Sequence, residues 1–308
     1  MGAVELIDVA KTYKGGVQAL KGVSLLIPEG SFYAVLGPNG AGKSTLIGII
    51  SSLVNKSRGK VKVGGFDLDK NPEDVRRLLG LVPQEFNLNV FERVMDIVMT
   101  QAGYYGIPAK EARPRAEKWL KKLHLWDKRD EISRNLSGGM KRRLMIARAM
   151  MHHPKILILD EPTAGVDVEI RRDIWDFVVD LNKGGCTIVL TTHYLEEVEQ
   201  LCERVAIINQ GSLLEDTSVR NLISRMNTQK YLIDLDRSWE QNIEIPGCVI
   251  LSSGMQLEVE INADFDMNLL FSYLNEKKLK ILGVRPKTNR IEELFMSVID
   301  SNKPEVKS

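Results

Sequence analysis

Cysteine is scarce here. Cys186, Cys202 and Cys248 are the whole complement of a 308-residue chain. No two of them have metal-ligand spacing, and their odd number argues against a disulfide framework, so a reducing compartment fits best. An excess of one charge is lacking too. Lys and Arg total 42 and Asp and Glu 41, a net charge of +1, so nothing suggests a bulk electrostatic binder and no nucleic-acid partner is expected. No uncharged apolar run approaches the roughly 20 residues of a membrane helix. Glu5 and Asp8 interrupt the first apolar residues, so no secretory signal is expected. A role at a membrane would therefore require docking to a separate chain. Internal repeats, low-complexity tracts and long heptad runs are absent. What remains is 44% hydrophobic and 27% charged, the balance of a soluble globular protein with one large or two modest domains.

The most informative stretch is Gly37, Pro38, Asn39, Gly40, Ala41, Gly42, Lys43, Ser44 and Thr45, which fits the phosphate-binding pattern G-x-x-x-x-G-K-[ST]. An apolar run, Phe32 to Leu36, suits a buried strand before it. Leu46, Ile47, Ile49, Ile50 and Leu53 suit a mostly buried helix after it. Strand, loop and helix form the context the pattern needs. Gly40 and Gly42 let the backbone turn tightly and approach an anion. Amides at a helix start lack internal partners and can point at phosphate oxygens. Lys43 would bring a positive charge to the β and γ phosphates of a nucleotide, and the Ser44 hydroxyl is placed to reach Mg²⁺.

In chain order, Val4–Val9 and Val23–Ile27 read as strands, with Tyr13 in a polar turn between them. Val61–Val63 and Phe66–Leu68 read as short edge strands, and Leu79–Pro83 leads into Gln84. From Glu85 strand signals vanish and helical periodicity takes over, as at Ala116, Trp119, Leu120 and Leu123. This predicts a helical subdomain of about residues 85–150 within an α/β domain. The pair His152–His153 reads as a solvated helix end. The α/β pattern resumes with Ile156–Leu159, running into Asp160 and Glu161. A helix follows with Ile174, Phe177, Val178 and Leu181 on one face, and then a strand at Thr187–Thr191 ends beside His193. Tyr194, Val198, Leu201 and Val205 suit the next helix, and Val205–Asn209 a last strand. Residues 218–308 read as a small C-terminal α+β domain: strands near Tyr231–Leu235, Leu257–Ile261 and Ile281–Val284, a helix at Met267–Lys277, and a final amphipathic helix over Ile291–Val298.

A carboxylate at the end of an apolar strand can hold Mg²⁺, directly or through water, which assigns Asp160 to the metal. Glu161, the next residue, is the candidate general base for an attacking water. Taken in order, these motifs resemble the ATP-binding cassette (ABC) family over residues 1–217. Gly37–Thr45 matches its Walker A loop, and Gln84 after Val82-Pro83 its Q-loop glutamine. Leu136-Ser137-Gly138-Gly139 matches the family signature, and Ile156–Glu161 Walker B with the catalytic glutamate. Gly165-Val166-Asp167 matches the D-loop, His193 after Thr191-Thr192 the switch histidine, and Tyr13 the aromatic that stacks on adenine.

The resemblance implies the fold of a P-loop NTPase cassette, α/β with a mixed sheet and a helical insertion. It implies ATP and Mg²⁺ as cofactors, with Gln84 touching the metal or the attacking water. It also implies a second copy of the chain, whose Ser137, Gly138 and Gly139 close over the ATP held by Walker A of the first. The amide-rich start of the helix after Ser137 suits a second anion contact of this kind. Met140 stands where glutamine is usual. The run Leu136–Leu144 and the stretch Ile291–Phe295 are similar to the ATPase subunits of ABC-2 type exporters. The expectation is therefore a homodimeric ATPase, cytoplasmic and peripheral on the inner face of the cell membrane, driving a separate integral membrane permease. The competing readings are a soluble ABC ATPase of translation or DNA maintenance, and a plain P-loop kinase or GTPase that leaves the signature and His193 unexplained. Phe86, Phe91, Tyr104 and Tyr105 enrich the segment after Gln84 in aromatics, and at least two are expected to line an exposed groove beside Gln84, where a permease would dock.

Overall fold

The computed structural model describes residues 2–224, 228–239, 244–262 and 265–287, together with Val298. Its contacts divide the chain into two units, Met1–Thr217 and Ser218–Ser308.

In the first unit, β1 (Gly2–Thr12) and β2 (Gln18–Pro28) pair antiparallel across the Tyr13 turn. Val4, Leu6 and Val9 all point inward, which strict alternation would forbid. A register shift between Leu6 and Val9, with Asp8 at φ 48°, restores the inward face. β3 (Phe32–Leu36) is buried at every position, as suits a strand covered on both faces. The phosphate loop and α1 (Lys43–Ile50) follow. The helix is shorter than its apolar pattern suggests. Ser51 caps it, Ser52 takes φ 61°, and Leu53 falls outside, 72% exposed rather than buried. The apolar side chains of α1 share one core with inward residues of β1, β2 and β3.

β4 (Arg58–Val63) and β5 (Phe66–Asp67) complete an antiparallel sheet in the order β2-β1-β4-β5. A helix unforeseen from the sequence follows, α2 (Pro72–Leu78). Pro72 opens it, Glu73 and Asp74 lie in the first turn, and Arg76 and Arg77 lie in the last, which complements the helix dipole. After β6 (Leu79–Val82) come α3 (Val94–Tyr104), α4 (Ala109–Lys122) and α5 (Gly138–Ala149), which pack on one another. Ala112, Ala116, Trp119 and Leu120 form the buried stripe of α4.

The remaining elements of this unit are β7 (Ile156–Asp160), α6 (Val168–Lys183), β8 (Thr187–Thr191), α7 (Leu195–Leu201), β9 (Arg204–Asn209) and β10 (Ser212–Ser218). Val205 belongs to β9 and not to the preceding helix, because Cys202 already leaves helical geometry with ψ 140°. The second sheet runs β10-β9-β3-β8-β7-β6, and the β3–β9, β3–β8, β8–β7 and β7–β6 pairs are all parallel.

The second unit contains α8 (Val219–Ser224), β11 (Thr228–Leu235), β12 (Glu244–Ile245), β13 (Cys248–Ser253), β14 (Gln256–Asn262), α9 (Met267–Glu276) and β15 (Ile281–Pro286). Its antiparallel sheet runs β12-β13-β14-β11-β15. Ile233, Leu257, Val259 and Ile261 line one face and bury Leu270 and Leu274 of α9. β13 carries no clean alternation, since Val249 and Leu251 are apolar yet exposed. The helix expected at Ile291–Val298 lies outside the described residues except for Val298.

Candidate functional site

Four parallel strands deliver their C-terminal ends to one edge of the second sheet. β3 leads into the phosphate loop, β7 ends on Asp160, β8 on Thr191, and β6 is followed by Pro83 and Gln84. The register aligns Val35 with Thr191 and Thr191 with Asp160. Residues distant in sequence thus meet at the carboxyl edge, where open α/β sheets hold ligands.

Two glycines shape the loop. A Cβ at Gly37 would stand 2.3 Å from the Ile208 carbonyl oxygen, so the chain passes too close for any side chain. Gly42 takes φ 108°, and a Cβ there would meet the Ala19 carbonyl oxygen at 2.6 Å. Pro38, Asn39, Gly40 and Ser44 are exposed, Thr45 is half-buried, and Ala41 is buried. No side chain caps α1, so its first amides keep their capacity for an anion. Lys43 is only 6% exposed, and its Nζ donates to the carbonyl oxygens of Gly37 at 2.7 Å and Pro38 at 3.2 Å. Burial pushes the ammonium pKa down, while Glu161 and Asp160 nearby pull it up. Tyr13 sits beside the loop. Its Oη lies 3.3 Å from Thr45 Oγ1, and Lys11 Nζ lies over its ring at 4.9 Å.

Glu161 is the hub. Its Oε2 accepts from Gln84 Nε2 at 3.1 Å and lies 3.2 Å from His193 Nδ1. Glu161 has φ 47°, in the left-handed region that side chains disfavour. Its amide donates to the Thr191 carbonyl oxygen at 3.0 Å and reaches Thr191 Oγ1 at 3.2 Å, which holds the strained backbone in place. Thr191 Oγ1 also donates to Asp160 Oδ1 and so orients that carboxylate. Among the described residues, no group of three or more His, Cys, Asp or Glu can hold a metal alone. Ser44, Asp160 and Gln84 offer a few hard oxygen donors. That set suits Mg²⁺, which takes most of its ligands from phosphate and water.

Ser137 caps α5, its hydroxyl accepting from the Met140 amide at 3.3 Å. Ser137 and Gly138 are exposed, whereas Gly139 packs under Ile170 of α6. Asp167 is the exposed residue that precedes α6, with no capping bond of its own.

Three residues make contacts around the site although no motif gives them a role there. Thr191 is one. Glu197 of α7 is fully buried; its Oε1 accepts from Thr163 Oγ1 and from Trp175 Nε1 at 3.2 Å, and so joins α6, α7 and the loop after Glu161. The third is Arg142, buried in α5, which donates to the backbone carbonyls of Pro83 and Gln84. None had a local signal, because Glu197 and Arg142 stand among charged neighbours that read as solvated.

Of the histidine pair, His153 is exposed as a solvated end would be, but His152 is not. The Tyr105 ring stacks on His152 with centroids 3.7 Å apart, and His152 Nε2 contacts the Leu79 carbonyl oxygen at 2.9 Å. Burial drives the His152 pKa down to about 4 from 6.5. Below pH 6.5 the unfolded chain therefore binds a proton that the folded chain refuses. Folding stability should fall as pH drops from 6.5 toward 4, by up to about 3 kcal/mol from this residue. Urea unfolding at stepped pH checks this. His152→Phe should lower stability near neutrality yet show a flatter pH dependence than the parent, and parallel curves would refute the assignment.

Phe86, Phe91 and Tyr104 are exposed, the last to 82%. Tyr104 and Tyr105 line a groove of about 610 Å³ with Glu73, Arg76, Arg77 and Gln101. Gln84 does not line it, so the groove is not where the sequence placed it. Phe86 does not line it either; its ring lies 5.0 Å from the Arg142 guanidinium.

A phosphate loop after one parallel strand, with two carboxylates at the end of a second strand of the same sheet, is the arrangement of a nucleotide hydrolase of the P-loop class. The comparisons sharpen this. Residues 20–164 match the ABC transporter family. The linearmycin resistance ATP-binding protein of Bacillus subtilis (strain 168) is 33% identical, over 94% of this chain and 96% of its own. A methionine import ATP-binding protein of Salmonella typhimurium is 37% identical, over 74% of this chain and 70% of its own. A dimeric ATP-binding cassette solved in a post-hydrolysis state, bound to ADP and Pi, superposes with a TM-score of 0.65 at 32% identity, covering 70% of this chain and 99% of that one. The chain belongs to the ABC transporter family. It binds ATP and hydrolyses it.

Proposed function

We propose that the chain is the ATPase subunit of an exporter, working as a homodimer against a separate integral membrane permease at the cytoplasmic face of the membrane. The observation that carries the catalytic reading is the convergence of Gln84 and His193 on one oxygen of Glu161, at the sheet edge that also bears Lys43. In this reading Tyr13 stacks on adenine, and Gly37–Thr45 wrap the phosphates with Lys43 supplying charge. Ser44, Asp160 and Gln84 would hold Mg²⁺, which would neutralise phosphate charge. Glu161 takes the proton of the attacking water, oriented by His193 and Gln84. Residues 1–217 form this ATPase domain, with its helical subdomain at about 85–150, and residues 218–308 an accessory domain.

Similarity confined to the cassette does not set direction, since an import protein shares it. A match that extends over nearly the whole chain is to a resistance protein. That extent, which includes the second unit, favours export. Among the described residues no helix is long and apolar enough to cross a membrane, in keeping with a permease on another chain. The test is reconstitution of the chain with its permease in vesicles. ATP should drive cargo out of the compartment that holds the ATPase domain, and ATP-driven uptake in the opposite sense would overturn the export reading.

Dimerisation has its own test. The exposed Ser137 and Gly138, with Gly139, would meet the γ-phosphate held by a second copy, beside Asp167 at the start of α6. Ser137→Arg fills that space with a long cation, whereas Ser137→Ala removes only the helix cap, at about 1 kcal/mol. ATP should no longer assemble the arginine variant into a dimer on size-exclusion chromatography, while the alanine variant still assembles. Equal dimer in the arginine variant would refute the head-to-tail arrangement.

A further inference from the structure

Among the described residues Arg142 is the largest of the fully buried side chains, 2% exposed, and it stands about one turn after the Ser137 cap of α5. Burial of a guanidinium is costly unless its donors meet fixed acceptors. Burial pushes its pKa down, and Asp160 and Glu161 pull the other way. The acceptors it meets are backbone. Nη1 donates to the Pro83 carbonyl oxygen at 2.7 Å and Nη2 to the Gln84 carbonyl oxygen at 2.8 Å, with the Phe86 ring against the guanidinium.

The segment so held has neither helix nor strand between β6 and α3. Backbone bonds to Ser133 and Arg134 hold its far end, at Glu92 and Val90, whereas the Pro83 and Gln84 carbonyls are met by the Arg142 side chain. A second arginine of α5 adds to the hold, since Arg148 Nη1 donates to the Asn87 carbonyl oxygen at 3.0 Å. The Gln84 side chain leaves this clamped backbone and reaches Glu161 Oε2 at 3.1 Å. An unbroken path therefore runs from the start of α5, through Arg142 and Gln84, to Glu161.

We propose that Arg142 is a positioning residue for hydrolysis, fixing the Gln84 backbone so that its amide stays on Glu161, and tying that contact to the signature helix. The inference rests on the role proposed above for Gln84. Lysine keeps the charge and a donor but not the planar two-nitrogen fork of arginine, so it holds the two carbonyls less rigidly. Methionine fills the space and reaches neither.

The test is a double-mutant cycle on the full chain, measuring kcat and KM for ATP in the parent, Arg142→Met, Arg142→Lys, Gln84→Ala and both double variants. Arg142→Met should lower kcat by roughly tenfold, in the range expected for small misplacement of a catalytic group, with KM nearly unchanged. Arg142→Lys should recover part of the loss. In the Gln84→Ala background either change at Arg142 should have almost no further effect on kcat. Parent-like kcat in the folded Arg142 variants, or losses that multiply independently of Gln84, would overturn the proposal. If Arg142→Met does not fold, the Arg142→Lys cycle decides alone. Parent-like turnover in Gln84→Ala would instead remove the role of Gln84, and the inference with it. Slow turnover in Gln84→Ala beside normal turnover in the Arg142 variants removes this inference only.

Discussion

Glu161→Gln should bind ATP and all but stop hydrolysing it. The amide has the size of the carboxylate and can turn its oxygen toward the Gln84 amide that now donates to Oε2. It cannot accept a proton from water. Loss of a positioned general base lowers kcat by about 10²–10⁴-fold, or about 3–5 kcal/mol of barrier. Affinity for ATP should change little, because the phosphate loop is untouched. ATP then persists between two copies, so an ATP-dependent dimer should accumulate on size-exclusion chromatography. Parent-like turnover in this variant would place the base elsewhere.

Lys43→Ala should act on both binding and chemistry. The ammonium is the buried cation of the loop, and it bridges the Gly37 and Pro38 carbonyls. Its removal takes away a fixed positive charge where phosphate charge is gathered, and electrostatic contacts of this kind are worth roughly 10²–10³-fold in kcat. Nucleotide affinity should weaken as well, which Glu161→Gln should not do. The two variants therefore separate on a titration with labelled ATP. Alanine is a good helix former, so α1 should survive, and thermal unfolding serves as the control. Near-normal hydrolysis in folded Lys43→Ala would remove Lys43 from the site.

Much of this site was legible in the sequence because its requirements are local. The phosphate loop needs small residues, a lysine and a hydroxyl at fixed spacing, and each answers to backbone geometry within a few residues. Gly37 and Gly42 have no room for a Cβ, and Ser137 caps the helix that it opens. Fully apolar runs such as Phe32–Leu36 and Ile156–Leu159 announced buried parallel strands for the same reason. Alternation was weaker as a guide. β10 is half-buried along most of its length and β13 is apolar on both faces, so neither shows a two-residue period.

By itself the sequence determined the kinds of chemistry present: a phosphate loop, two carboxylates at a strand end, a glutamine, a histidine and a capped helix with exposed amides. Only the tertiary structure decided which of them act on one another. Parallel pairing sets Asp160 beside Thr191, places Glu161 under Gln84 and His193, and brings Arg142 beneath the Gln84 backbone. Such contacts join segments far apart in the chain, and their strength comes from burial and hydrogen bonds that leave no local period. An arginine between Lys141 and Arg143 looks like one more solvated charge until the fold removes its water and supplies two carbonyls in return.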